Sequence, residues 1–446
     1  MSMNTTFCPQ LKIGAVCQQW RQIMWSNPRF WNIIHLRVTL ESRLHLATVL
    51  KEWVFRSGEL PLFFSTQYHQ TFFDQPPPQL ITQLHHLLLS IISTLNTCIH
   101  RWSLVNLSLP KSYMTMLRDQ MSSASTYSGL KGLALSMTPD LDEDPRSRFP
   151  VWIFEGKFNT SLVLRPQELS LEGFLIRNVQ VDAASLTSFK GMHMLVVDCL
   201  ELVRRAPQLV DCDLEFLELN SHLTGPTPFP PAPILHTSIQ RLRLADCPDE
   251  VLNYITFPEL WSLIICNEGS EATLNELTAF IKRSECCLQS FDLRMGWLQG
   301  RDLLEFLKLT PALLDLDVCP VGDDFFEHLG RTTFTVRGSP GFLPQLQTFS
   351  YYGFRTFQWS SVPLLVPPTQ PQDMAKRPLR NIVLQLNSDS DDILPGRDEP
   401  LGTAGVDIID EASVRAISNI VNQGIRIQIT DSLDLIDASM KHHGIL

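Results

Sequence analysis

The stretches IQRLRL at residues 239–244 and LLDLDV at residues 313–318 decide the fold. Both follow the pattern L-x-x-L-x-L, in which the fourth and sixth residues are apolar and the third and fifth are charged. Because successive side chains of a β-strand point to opposite faces, this alternation predicts a short strand with one buried and one solvent-exposed face. One such strand cannot bury its apolar face alone, so the pattern also predicts neighbours of the same kind.

The same pattern recurs along most of the chain. With Ile, Val, Phe, Met or Tyr allowed in place of Leu, clean copies begin at Leu104, Leu130, Leu214, Ile239, Leu260, Leu288, Leu313, Leu346 and Leu379, and weaker copies at Pro166 and Phe189. Consecutive copies are 21 to 36 residues apart. Most of these offsets lie near the spacing of about 20 to 29 residues that is typical of leucine-rich repeats.

The segments between the copies favour helices. Residues 273–283, 301–309 and 323–329 place apolar side chains at helical spacing. We therefore predict an α/β fold, an irregular leucine-rich-repeat solenoid over residues 101–446 with a mostly parallel curved sheet and helices on its convex side. A helix at residues 410–422 and the strand-like IRIQIT that follows should cap its end.

The pattern also sorts strand residues into an inward and an outward set. The inward set, which should be buried, includes Leu217, Leu219, Leu242, Leu244, Leu316 and Val318. A solenoid presents its outward side chains on one concave surface, which predicts protein binding there. The predicted substrate-binding residues are Phe216, Glu218, Arg241, Arg243, Asp292, Arg294, Asp315, Asp317 and Tyr352, with Asn220 and Ser350 beside them. The alternative is a polar face that meets only solvent.

The first eighty residues have a different, tryptophan-rich pattern. Val16, Trp20, Ile23 and Met24 fall on one face of a helix that ends at Asn27-Pro28. A second helix is predicted over residues 41–57, and it gives way to the strand-like stretch PLFFS at residues 61–65. Tryptophans at such positions either bind a partner or belong to the core, and the core is the commoner use.

Residues 15–36, AVCQQWRQIMWSNPRFWNIIHL, resemble the second half of an F-box, in which a Val-Cys-x-x-Trp helix precedes Ser-x-Pro-x-Leu/Phe-Trp. Residues 50–64, LKEWVFRSGELPLFF, are similar to the pattern that follows the F-box in fungal F-box proteins with irregular leucine-rich C-termini. The resemblance implies three parts: a small all-α partial F-box at residues 1–39, a helical linker at 40–100, and the solenoid at 101–446.

The resemblance also implies a role without chemistry. Proteins of this family are substrate-recognition subunits of SCF-type cullin-RING ubiquitin ligases, in which the F-box docks on a Skp-type adaptor and the repeats hold the protein to be ubiquitinated. Here the adaptor-binding residues would be Val16, Cys17, Trp20, Ile23, Pro28 and Trp31. The family's opening helix, with its Leu-Pro-x-Glu start, is not found in the residues before Ala15, so weakened adaptor binding is expected.

Composition and motifs argue against other function classes. With 36 Lys+Arg and 47 Asp+Glu the net charge is -11, which disfavours a nucleic-acid partner. The glycine-rich phosphate loop and the GxSxG, HExxH and GxGxxG signatures are absent from the sequence, so no enzyme and no cofactor are predicted.

Metal, membrane and secretory assignments are disfavoured on similar grounds. The ten cysteines form no CxxC, and residues 389–392 only begin like a calcium loop, so no metal is predicted. A membrane span and a signal peptide are not expected, which favours a cytoplasmic or nuclear location. Two functions remain open: the ligase receptor, and a non-catalytic leucine-rich-repeat scaffold that has lost ligase docking.

Overall fold

A computed structural model describes residues 12, 14–68, 77–121, 129–138, 140, 164–174, 176, 179, 181–219, 229–267, 274–295, 300–336, 341–366, 374–386, 409–430 and 439. These residues belong to two compact units, residues 1–231 and residues 232–446, which are described in turn. The acidic stretch at residues 389–392 lies outside the described residues.

The first unit is built on seven strands that pair in chain order, and every neighbouring pair is parallel. The strands are β1 (Ile33–Val38), β2 (Leu62–Tyr68), β3 (Trp102–Pro110), β4 (Gly132–Thr138), β5 (Glu168–Glu172), β6 (Ser188–Met192) and β7 (Asp211–Glu215). Exposed and buried residues alternate strictly along β1. This period of two assigns one face of the strand to the core.

Helices cover the buried side of this unit. They are α1 (Gln18–Ser26), α2 (His45–Arg56), α3 (Pro78–Thr97), α4 (Lys111–Met121) and α5 (Val196–Arg205). Helix α3 begins with a proline, which a first helical turn tolerates, and it packs against α2 and α4. Its apolar residues recur at helical spacing, so that one stripe is buried: Leu84, Leu87, Leu88, Ile91, Ile92 and Leu95.

The second unit repeats the same plan. Its strands are β8 (Ile234–Leu235), β9 (Arg241–Ala245), β10 (Ile255–Thr256), β11 (Ser262–Asn267), β12 (Ser290–Met295), β13 (Asp315–Val318), β14 (Phe334–Val336), β15 (Thr348–Gly353), β16 (Met374–Lys376), β17 (Asn381–Leu386) and β18 (Arg426–Thr430). The order β9-β11-β12-β13-β15-β17-β18 forms its main sheet, in which all pairs are parallel. β8 pairs with β10, and β14 pairs with β16 antiparallel.

Helices α6 (Leu274–Ser284), α7 (Gly300–Leu307), α8 (Asp323–Arg331) and α9 (Glu411–Asn422) belong to the second unit. Aromatic rings join the helices to the inward face of the sheet. The ring of Phe291 in β12 lies 5.1 Å from that of Phe306 in α7. The ring of Phe349 in β15 lies 5.7 Å from that of Phe326 in α8. The opposite face of this sheet therefore carries the outward side chains.

The buried side chain of Arg377 links separate segments of this unit by hydrogen bonds. The Arg377 side chain is only 4% exposed and donates to the carbonyl oxygens of Leu329, Phe342 and Leu343 at 2.7, 2.8 and 3.0 Å. Burial lowers the pKa of its guanidinium to about 10, so the group stays cationic at neutral pH. These hydrogen bonds compensate the cost of burying the charge.

The α/β class, the parallel sheet arrangement and most of the predicted strands are confirmed. Strands occupy nine of the eleven predicted copies, and the predicted helices over 273–283, 301–309 and 323–329 correspond to α6, α7 and α8. The capping helix and strand are α9 and β18. The predicted inward residues Leu217, Leu242, Leu244, Leu316 and Val318 are buried, whereas Leu219 is half-buried.

Two copies were wrongly placed. β6 and β7 follow the copies Leu186-x-x-Phe189-x-Gly191 and Leu209-x-x-Cys212-x-Leu214, in place of the predicted copies at Phe189 and Leu214. Gly191 and Cys212 stand at inward positions, where the pattern demands a large apolar residue. Leu186 and Leu209, which begin the true copies, are fully buried.

The parallel sheet also begins earlier than residue 101. Residues 33–38 form β1, so the prediction of an all-α segment over residues 1–39 is wrong for this stretch. β1 pairs with β2, which lies within the predicted helical linker at the strand-like PLFFS, and β2 pairs with β3. Trp31, Ile34 and Leu36 are buried at the spacing of the repeat, which explains why this segment joins the sheet.

Candidate functional site

The outward face of the second unit carries two rows of side chains that cross the strands. We call the partners in register Arg241, Ser262, Ser290 and Asp315 row 1, and Arg243, Ile264, Asp292 and Asp317 row 2. Arg241 and Asp315 are exposed, and Asp292 and Asp317 are half-buried. The two rows contain five of the predicted binding residues, on β9, β12 and β13, and a sixth, Arg294, follows Asp292 on β12.

Arg294 is the centre of an ion-pair network on this face. Its guanidinium lies 2.9 Å from the carboxylate of Asp292 and 3.9 Å from that of Asp317. It also lies over the ring of Tyr352, 5.3 Å from the ring centroid. Ser350 is the register partner of Asp317 on β15. The predicted residues of three strands, β12, β13 and β15, therefore form one connected polar surface.

Asp317 is the acid on this surface whose ionisation is most unfavourable. Its Oδ1 is buried and has no hydrogen-bond partner within the part of the chain that the structure describes. Burial, with a smaller effect from the neighbouring Asp292 carboxylate, raises the pKa of Asp317 to about 6. Burial also raises the pKa of Asp292, against the opposing effect of Arg294. Both carboxylates form ion pairs with Arg294.

The basic end of the surface lies on β9. Arg241 lies over the indole of Trp261, 5.9 Å from the ring centroid. Arg243 lies close enough to Asp292 to favour the ionised form of that acid. Arginine and aromatic residues are enriched at protein-binding surfaces. The arrangement is suited to recognising charged side chains.

The outward face of the first unit contains an ion-pair group that was not predicted. Lys190 on β6 lies 3.7 Å from Asp213 and 3.5 Å from Glu215, both on β7. The copies predicted at Phe189 and Leu214 begin too late in the chain. They therefore do not assign Lys190, Asp213 or Glu215 to outward strand positions. The string from Leu186, which has glycine in its last position, is the signal for Lys190, and the string from Leu209 is the signal for Asp213 and Glu215.

Phe216 and Glu218 do not occupy the strand positions predicted for them. β7 ends at Glu215, and Phe216 has a positive φ of 50°, the left-handed region, so the chain turns there. The ring of Phe216 stacks on His193, with centroids 4.9 Å apart. Glu218 forms an isolated bridge with Leu195. Asn220 lies outside the described residues.

A second candidate surface lies on helix α1. Cys17 caps this helix, and its Sγ accepts a hydrogen bond from the backbone N–H of Trp20 at 3.5 Å. Val16, Trp20 and Ile23 are 65%, 51% and 53% exposed. The commoner interpretation, that such residues belong to the core, is therefore wrong for Trp20. We call these three residues the α1 apolar surface.

The other predicted adaptor-binding residues differ in exposure. Trp31 is buried, and its indole N–H donates to the carbonyl oxygen of Met24 at 2.9 Å, which holds α1 against β1. Its ring lies 6.4 Å from that of Trp53. Pro28 is exposed and starts a short 3-10 helix after α1. Trp31 thus positions α1, whereas Val16, Trp20 and Ile23 meet solvent.

The described ranges show no cluster of three or more His, Cys, Asp or Glu side chains that could hold a metal ion. Among the helices of those ranges, none combines the length and the apolar character that crossing a membrane requires.

No protein-family model matches the chain, and a search of the curated proteins found no match.

Proposed function

We propose that this chain is the substrate-recognition subunit of an SCF-type cullin-RING ubiquitin ligase and performs no chemistry itself. In this proposal the α1 apolar surface docks on a Skp-type adaptor, and the outward face of the second unit holds the target protein. The proposal joins the F-box resemblance of residues 15–36 to the exposure of the side chains in that segment. We further propose that the protein works in the cytoplasm or nucleus.

The exposure of the α1 apolar surface is the observation that carries the proposal. Trp20 and Ile23 are one helical turn apart, and each has about half of its surface in solvent. Burial of such side chains is favourable by about 25 cal/mol per Å² of apolar area, so a partner that covers them gains free energy. Grouped apolar side chains on a surface are typical of protein interaction sites.

The repeat character of the fold supports the second half of the proposal. Strands and helices alternate along the chain in the order β11, α6, β12, α7, β13 and α8. We propose that these are irregular leucine-rich repeats, because each unit buries one strand face and one helix stripe against its neighbours. Their outward residues are then available to a protein partner.

Binding of the purified adaptor tests the docking step. We expect the full chain to bind a Skp-type adaptor in biolayer interferometry, and Ile23→Ala and Trp20→Ala each to weaken the complex by about fivefold or more, as for central interface residues. Leu235→Ala is the matched control, because Leu235 is 66% exposed and belongs to the second unit. Adaptor binding that Ile23→Ala leaves unchanged would contradict the proposed docking surface.

A wild-type chain that binds no adaptor at all would reject the ligase function. The scaffold function without ligase docking would then be the remaining one, since it depends only on the outward face of the second unit.

A further inference from the structure

The outward face of the first unit carries apolar side chains in register on its first three strands. Ile33 on β1 is the partner of Phe63 on β2, and Phe63 is the partner of Leu104 on β3. Ile33 and Leu104 are 49% and 36% exposed, and Phe63 is half-buried. We call these three residues the first-unit apolar row. Neighbouring strands lie about 4.8 Å apart, so the row is about 10 Å long.

The remaining outward positions of these strands differ from the row, because they are polar. The next partners along the strands are His35, Ser65 and Asn106, followed by Arg37, Gln67 and Ser108. Single exposed apolar side chains are ordinary on a protein surface, whereas adjacent ones are typical of interaction sites. The row is therefore a candidate contact for another protein.

Strand β4 leaves room beside the row. Gly132 is the register partner of Leu104, and a Cβ atom at Gly132 would lie 2.6 Å from Cδ2 of Leu104. The next outward residue of β4, Ala134, also has a short side chain. An apolar side chain of a partner can therefore rest on the row without meeting a large side chain of β4.

The charges around the row determine the sign of a complementary partner. The outward residues of β1 to β4, all of them described, include the basic His35 and Arg37 and no aspartate or glutamate. Arg37 is exposed, and its guanidinium has no hydrogen bond or ion pair with another described residue. Beyond β4, the exposed Glu168 on β5 is the register partner of Gly132. An acidic side chain of a partner is therefore attracted towards β1 and repelled from β5.

We propose that the first-unit apolar row binds an extended segment of a partner protein in which an apolar and an acidic side chain are four residues apart. The apolar side chain contacts the row, and the carboxylate pairs with Arg37. Arg37 follows Ile33 by four residues on β1, and a segment that runs along the strands has the same rise of about 3.3 Å per residue. The row shares no residue with the α1 apolar surface or with the second unit, so the inference does not depend on the proposed function.

Selection from a displayed library of random twelve-residue peptides tests the inference. The targets are the full wild-type chain and the double variant Ile33→Ser/Leu104→Ser. We expect the wild type to enrich peptides with Leu, Ile, Met or Phe four residues before or after Asp or Glu by about tenfold over the unselected library. The double variant should not enrich them, because it lacks the apolar contact. Both orders are expected because a segment can run along the strands in either direction.

Charge reversal of Arg37 tests the ionic contact. In fluorescence anisotropy with the most enriched peptide, Arg37→Glu should weaken binding by about fivefold or more, because a repulsion replaces an attraction. Exchange of the peptide's acidic residue for lysine should restore binding to this variant. Lys51→Glu is the matched control and should bind like the wild type, because Lys51 is exposed on α2 and not on the sheet.

The unfolding midpoint in urea checks that each variant is folded. It should match that of the wild type, because substitutions of exposed side chains change stability little.

Equal enrichment by the wild type and the double variant, no enriched peptides, or enriched peptides without the apolar and acidic pattern would overturn the inference. Peptide binding that Ile23→Asp abolishes and Arg37→Glu leaves unchanged would also overturn it, because the peptides would then belong to the α1 apolar surface. None of these results depends on adaptor binding, so their failure leaves the ligase function standing.

Discussion

Asp317 shows how one carboxylate can limit the stability of a binding surface. Its raised pKa of about 6 means that the folded chain holds the proton more tightly than an unfolded chain, in which the aspartate pKa is about 3.9. Between these two values the folded state binds more protons. The free energy of unfolding therefore falls as the pH rises from about 4 to about 6, and the cost is fully present at pH 7.

Asp317→Asn should consequently stabilise the chain at neutral pH. We expect the free energy of unfolding at pH 7 to rise by about 1 to 2 kcal/mol, because the amide removes a buried charge whose Oδ1 has no described partner. The gain should be small near pH 4 and should disappear below about pH 3, where the wild-type carboxyl is protonated in both states. Urea unfolding at the two pH values measures it.

Asp315→Asn provides the control for this variant. Asp315 lies on the same strand and is exposed, so its replacement should change the free energy of unfolding by less than about 0.5 kcal/mol. A gain from Asp317→Asn that is equal at pH 4 and pH 7 would show that the charge is not its cause.

At the scale of the elements, the register of β7 distinguishes the structure from the sequence-based prediction. The structure places Leu209 in the core at the start of the copy, whereas Leu219 lies beyond the strand and is half-buried. Leu209→Ala should therefore lower the free energy of unfolding by about 2 to 5 kcal/mol, the usual cost of truncating a buried leucine. Leu219→Ala should cost clearly less.

Urea unfolding of the two variants side by side decides the register. A larger loss from Leu219→Ala than from Leu209→Ala would favour the copy at Leu214 and contradict the strand bounds of β7.

Sequence alone predicts those strands whose inward residues are all large and apolar. β9 and β13, with Leu242, Leu244, Leu316 and Val318 inward, follow the pattern directly, and so do the outward charges between them. The pattern fails where a small residue fills an inward position, as Gly191 and Cys212 do. It also fails at β1, where a tryptophan begins the copy.

The contacts within the candidate site are less predictable than its residues. Alternation along a strand places Asp292 and Arg294 on one face, but the approach of Arg294 to Asp317 depends on the register between β12 and β13. Similarly, helical spacing puts Trp20 on an apolar face of α1. Whether neighbouring elements cover that face depends on packing, and here Met24 and Trp31 are covered whereas Trp20 is not.

At the scale of the whole molecule, the two candidate surfaces belong to different units. The α1 apolar surface lies in residues 1–231, and the charged outward face lies in residues 232–446. A receptor of a ubiquitin ligase needs one surface for the ligase and another for the target. Substitutions on one surface should therefore leave binding at the other unchanged, since the two surfaces share no residues.

Quantitative affinity purification of the tagged full chain from cells, with mass spectrometry of the recovered adaptor and cullin, tests the ligase function most directly. The wild type and Arg241→Glu/Arg243→Glu should recover a Skp-type adaptor and a cullin in equal amounts, and Ile23→Asp should reduce both by about tenfold or more, because a charge enters the apolar contact. Absence of both proteins from the wild-type sample, or equal recovery with Ile23→Asp, would contradict the account.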